Sequence, residues 1–160
     1  MKRLKLDTVI QVFEKEELVA SEKELLHRAL AACDLAHAPY SHFQVGVSLL
    51  LDNGQIVNGA NQENAAYPMC ICAEPIALSN AKVNYPTAVI QMMAIRVKSK
   101  KNHVGQPAAP CGACRQIISE YEQRQQAPIT MLLQGETGVV YKMEGISSLL
   151  PLSFDASFLE

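Results

Sequence analysis

The sequence is poor in the features that mark several large classes of protein. It has no excess of positive charge: 14 Lys and Arg stand against 16 Asp and Glu, a formal net charge of −2. Nothing in that balance requires a nucleic-acid partner. Lys98, Lys100 and Lys101 form the one basic cluster, in KSKKNHVGQP, and read as a solvated loop. No apolar run approaches the roughly 20 residues a membrane helix needs. In MKRLKLDTVIQVFEKEE, Asp7 and the acidic run after it interrupt any signal-peptide core. Five cysteines, an odd number, without a secretory signal do not make a disulfide framework. Low-complexity tracts, internal repeats and long linkers are missing too. These absences point to a cytoplasmic protein whose thiols serve metal binding or catalysis.

What is present is ordinary globular composition, 49% hydrophobic and 19% charged, which argues against disorder. At 160 residues the chain is long enough for one core and too short for two ordinary domains. Residues 1–160 therefore read as one domain, with 1–20 as an N-terminal arm that contains a short extended stretch, LKLDTVIQVF. Ser21 and Glu24 make a capping-box pattern, and Leu25, Leu26, Ala29, Leu30 and Cys33 then share one helical face. Cys33 is accordingly a core residue. FQVGVSLLL alternates as a strand, DNG at 52–54 signals a hairpin, and QIVNGAN returns. A helix follows from about Ala73 to Lys82. AVIQMMAIRV suits a strand buried on both faces. PCGACRQIISEYEQR is an amphipathic helix with Ile117, Ile118 and Tyr121 inward. ITMLLQ and VVYKM are two further strands around the GETG turn, and ISSLLPLSF is a short helix before a tail. The order predicts an α/β fold: a three-layer α/β/α sandwich around a mixed five-stranded sheet.

Cys111 and Cys114 form C-x-x-C at the start of a predicted helix. Alone, such a pair is half a zinc site, a redox pair or a coincidence. No second C-x-x-C or His pair completes a structural zinc site, and His27, His37, His42 and His103 are scattered singly. A catalytic zinc needs only three protein ligands and keeps a fourth position for water. Upstream, CAE offers a thiolate at Cys72 and a carboxylate at Glu74, again ahead of a predicted helix. Free N–H groups and the positive dipole end there stabilise a thiolate. Known zinc deaminases combine a His or Cys ligand, a non-ligand glutamate two residues later, and P-C-x-x-C. Cys72, Glu74, Pro110, Cys111 and Cys114 match that known pattern. Cys70 lacks an acid two residues on and reads as a packing neighbour.

These residues, with YSHFQVG, NGANQENAAYP, PCGACRQ and the terminal LLPLSF, resemble the cytidine deaminase family of the small, three-cysteine, homotetrameric type, over about residues 22–155. The resemblance implies one Zn²⁺ per chain on Cys72, Cys111 and Cys114, with Glu74 as proton shuttle. It places Asn61 and Glu63 on the ribose hydroxyl, a pairing that reads a hydroxyl as donor and acceptor. It puts Phe43 and Ala73 beside the nucleoside. Tyr67 and Phe154 would complete a site in a neighbouring subunit, Phe154 by stacking on the base. The implied reaction is hydrolytic deamination of cytidine and 2′-deoxycytidine in pyrimidine salvage. The implied partner is a small nucleoside, with no nucleic acid or membrane. Two other readings stay open: a deaminase of another aminopyrimidine nucleoside, such as a nucleoside antibiotic, and a catalytically silent zinc-bound protein.

One position departs from the family pattern. Pro75 stands where arginine usually follows the glutamate. Proline is comfortable in a first helical turn, but it brings no charge. Zinc with three thiolates has a formal charge of −1, so compensation falls to the helix ends or to another cation, for which Arg115 is the candidate.

Overall fold

Residues 1–159 are described by a computed structural model. Strand β2 (Phe43–Leu51) and strand β3 (Ile56–Ala60) form the hairpin expected around DNG. Gly54 takes φ +79° in its turn, a backbone that glycine adopts without strain. Strand β4 (Ile90–Ser99) runs antiparallel to β2 and parallel to β5 (Thr130–Gln134), and β6 (Val140–Glu144) returns antiparallel to β5. The sheet is therefore mixed, as the alternation of strands and helices predicted.

It has six strands, not five. Gln11–Phe13, here β1, pairs antiparallel with β6 and gives the order β1-β6-β5-β4-β2-β3. Three residues carry too little periodicity to announce a strand. Tertiary contacts hold it: Phe13 packs against the core beneath the first helix, and the Lys142 ammonium lies 5.8 Å from its ring. An otherwise open edge of β6 is thereby covered.

Side-chain alternation divides the sheet into two apolar faces. On one, Ala94, Leu132 and Val140 meet Leu25, Leu26 and Ala29 of α1 (Ala20–Ala32). On the other, Met93, Ile95, Met131 and Leu133 meet α2 (Ala73–Asn84) and Ile118 of α3 (Gly112–Gln125). This is the expected α/β/α sandwich. Each fully buried leucine or isoleucine contributes about 1.5–3 kcal/mol by leaving water. Cys33 is buried at the end of α1, donating to the Ala29 and Arg96 carbonyls, and burial pushes its thiol up to about 11.

Two local expectations shift. Helix α1 starts at Ala20 behind an N-cap at Val19, and Glu22, not Glu24, accepts the Val19 N–H at 3.2 Å. Glu22 also receives Lys142 Nζ at 2.6 Å, so a contact from β6 selects which acid closes the cap. Glu24 pairs with Arg28 instead. In ISSLLPLSF only Ile146–Ser148 winds, as one 3₁₀ turn.

The site depends on how closely α2 lies on β3. Gly59 allows this approach: a Cβ there would sit 2.5 Å from the Ala77 nitrogen and 2.6 Å from the Ala73 carbonyl oxygen. Gly59→Ala should therefore cost about 1–3 kcal/mol by overpacking, read as a lower denaturation midpoint. Gly112→Ala, whose Cβ would meet nothing within 4 Å, should not lower it.

Candidate active site

Two helices begin at cysteines. Cys72 is the N-cap of α2 (φ −69°, ψ 160°) and Cys111 the N-cap of α3 (φ −65°, ψ 167°). Both are extended residues that aim their side chains across the first turn, where backbone N–H groups lack intrahelical partners. Cys114 stands one turn into α3, and its N–H donates to the Cys111 sulfur at 3.4 Å. The corresponding third position of α2 is Pro75, which has no N–H to give, so the Cys72 sulfur receives no backbone cap. Proline thus fits the first turn as expected and leaves that sulfur's lone pairs free.

The three sulfurs converge. Cys111 and Cys114 are 3.3 Å apart, Cys72 and Cys111 4.0 Å, and all three lie within 4.8 Å of one another. Sulfurs bound to one zinc at about 2.3 Å would stand about 3.8 Å apart in a tetrahedron, so the cluster fits that ion. The Cys72 thiol is lowered to about 6, chiefly by the neighbouring Cys114 thiol, while burial and Glu74 oppose this. Cys114 is pushed up, first by Cys72 and then by burial. Cys70 stays outside the cluster and instead holds the Asn64 backbone, accepting its N–H at 3.2 Å.

Glu74, two residues into the same helix, is 4% exposed, and desolvation raises its carboxyl above the usual range. It lines a cavity of about 300 Å³ together with Cys72, Ala73 and Cys111. Phe43, Asn61 and Glu63 line the same cavity, joined by Val45, Ile95 and Val97. A pair of backbone hydrogen bonds between Gln62 and Ile71, both 2.9 Å, closes the loop between them. That closure brings Asn61 and Glu63 to the mouth of the thiolate site. Glu63 accepts the N–H groups of Tyr40 and Ser41 at 2.9 and 3.2 Å, and Ser41 leads the effects that lower its pKa. Asn61 bonds the edge of β2 through the Val45 N–H and the Phe43 carbonyl. The supporting roles of Tyr40 and Ser41 carry no sequence signal beyond their place in a turn.

Tyr67 and Phe154 do not line the cavity. They are 72% and 57% exposed, with Tyr67 edge-on to Tyr40 and Phe154 stacked on Phe158. Arg115 does not compensate the thiolates either. Its Nε donates to the Pro110 carbonyl and a terminal nitrogen to the Leu149 carbonyl, both at 2.9 Å. Among the described residues no Lys or Arg side chain hydrogen-bonds to a cluster sulfur, so the helix ends are the positive partners the structure supplies.

A model of the cytidine and deoxycytidylate deaminase zinc-binding region matches residues 19–128. The chain belongs to this family. Zinc is the cofactor of this family, and the three-cysteine cluster could hold it. A cytidine deaminase of Halalkalibacterium halodurans is 37% identical over 132 residues, covering 82% of this chain and 92% of the relative. One of Sporosarcina psychrophila is 35% identical over 144 residues, covering 88% and 96%. The fold is also that of the crystal structure of cytidine deaminase from Burkholderia pseudomallei: TM-score 0.71, 32% identity, 86% of this chain and 100% of that one.

Replacing Cys72, Cys111 or Cys114 singly by alanine should abolish stoichiometric zinc, measured by elemental analysis after dialysis. Cys70→Ser should keep one zinc per chain.

Proposed function

We propose that the protein deaminates cytidine and 2′-deoxycytidine hydrolytically, giving uridine or 2′-deoxyuridine and ammonia. The observation that carries this reading is the buried Glu74 carboxyl in the wall of a nucleoside-sized cavity that also contains two of the three zinc-site cysteines. Residues 1–160 act in it as one unit, with 1–20 as an arm beside the catalytic fold.

Bound on Cys72, Cys111 and Cys114, zinc would lower the pKa of a water from about 15.7 towards 7. Glu74 takes the proton from the attacking water and delivers it to ring N3 as the new C4–O bond forms. It then takes the proton of the new C4 hydroxyl and passes it to the amino group; the C4–N bond breaks as the C4 carbonyl forms, and ammonia leaves. A carboxyl already raised by burial suits this traffic, because it holds and releases a proton nearer neutrality. Asn61 and Glu63 bind the ribose hydroxyl, their positions fixed by the bonds to β2 and to the Tyr40–Ser41 turn. Phe43 and Ala73 flank the nucleoside within the cavity.

Tyr67 and Phe154 act across a subunit boundary in a homotetramer, each reaching a site in a neighbouring copy, Phe154 by stacking on the base. Their exposure supports this, since two large aromatic side chains left in water gain by being covered. Among the described residues no helix is long and apolar enough to cross a membrane; a place in the cytoplasm and a role in pyrimidine salvage complete the reading. The placement of Glu74 on the cavity speaks against a silent zinc scaffold, and the Asn61–Glu63 pair speaks for a nucleoside sugar.

Glu74→Gln should lower kcat on cytidine by about 10²–10⁴-fold, the usual worth of a general acid–base group, with KM changed far less. An ultraviolet assay with cytidine, deoxycytidine, cytosine and adenosine checks both the loss and the substrate class. Phe154→Ala should lower kcat/KM by about three- to tenfold, the worth of one aromatic stack.

A further inference from the structure

Helix α3 carries two of the three zinc-site cysteines at its start and grips the C-terminal segment along its length. Glu122 accepts the Ile146 N–H with both carboxylate oxygens, at 3.0 and 3.2 Å, and the Ile129 N–H at 2.9 Å. Gln116 donates to the Phe154 carbonyl at 2.8 Å. Between these, the Arg115 guanidinium spans two carbonyls, Pro110 on one side and Leu149 on the other. Pro110 immediately precedes Cys111, so the peptide joining them is shared by the metal loop and the Arg115 fork. Ile146 is buried, and Leu149 and Leu150 pack against the main core, whereas Leu152 and Phe154 are exposed. Beyond Leu150, where Leu152 and Phe154 are exposed, the Gln116 side-chain bond from α3 holds the chain.

We propose that Arg115 is a positioning residue that couples occupancy of the three-cysteine site to the placement of the C-terminal segment 146–154, and so of Phe154. The coupling rests on the zinc reading given above. Binding of the ion would fix Cys111 and with it the Pro110–Cys111 peptide. The Pro110 carbonyl then holds the guanidinium plane, and the same rigid plane presents its second donor to Leu149. A lysine cannot reproduce this, because its ammonium is a point donor on a flexible stem and not a planar fork. Coupling of this kind is a free energy shared between two sites, and it is reciprocal. A well-placed segment therefore also strengthens the hold on the ion.

Hydrogen–deuterium exchange reads the coupling without reference to activity. The probes are the amides of Ile146, Leu149 and Leu150, bonded respectively to Glu122 and, for the last two, to the Ile146 carbonyl. They are compared in chelator-stripped and zinc-loaded full-length protein, with zinc per chain measured on the same samples and sedimentation used to match oligomeric state. In the parent chain, loading should slow these amides by about tenfold, the scale of one charge-assisted hydrogen bond. In Arg115→Ala and Arg115→Lys, zinc should still bind and most of the slowing should vanish. Gln116→Ala should lose protection only around Phe154 and keep the zinc effect at Leu149, which guards against a general loss of folding. Equal protection with and without zinc in the parent, or an undiminished zinc effect in both Arg115 variants, overturns the proposal. Failure of the parent chain to take up zinc would instead overturn the metal reading on which it rests.

Discussion

The structure turns on the meeting of two helix N-termini at three sulfurs. Each helix starts at a cysteine in extended backbone, and each presents its unpaired N–H groups and positive dipole end to the same point. Three thiolates against one divalent ion leave a net negative charge, and without a bonded Lys or Arg the helix ends are what offset it. The rest of the fold serves that convergence. The sheet holds α2 and α3 side by side on one face, and Gly59 lets α2 settle close enough for Cys72 to reach Cys111. Helix α1 covers the other face, and β1 closes the sheet edge beside β6.

Burial does the second part. Glu74 is inside because α2 must bury Ala73, Ala77, Leu78 and Ala81 against the sheet, and the second residue of that helix follows them inward. Desolvation raises the Glu74 carboxyl. Glu63, on the same cavity, is less buried. It is partly exposed and is pulled the other way, first by the Ser41 side chain and also by backbone N–H donors, which keeps it an anion and an acceptor. Two carboxylates in one cavity are thus set apart by their surroundings.

Much of this was legible in the sequence because it is local. The hairpin at DNG, the two amphipathic helices and the doubly buried β4 each carry their own period. The cysteine spacing, matched to the known zinc-deaminase pattern, likewise points to the three thiols before any contact is known. What escaped was set by contacts between distant segments. Strand β1 exists because β6 offers an edge and Phe13 finds the core. Glu22 closes the cap of α1 because Lys142 reaches it from β6. Arg115 looked like a counter-charge by its place beside Cys114, yet two carbonyls claim it. Tyr67 and Phe154, read by resemblance as parts of a neighbour's site, stay exposed in one chain.

X-ray absorption at the zinc edge of the loaded protein tests the central claim most directly. The account predicts three sulfurs at about 2.3 Å and one lighter O or N ligand at about 2.0 Å, the pattern of a zinc with an open position. A shell of four sulfurs, which would bring in Cys70 and close the site, or a shell without sulfur, would contradict it.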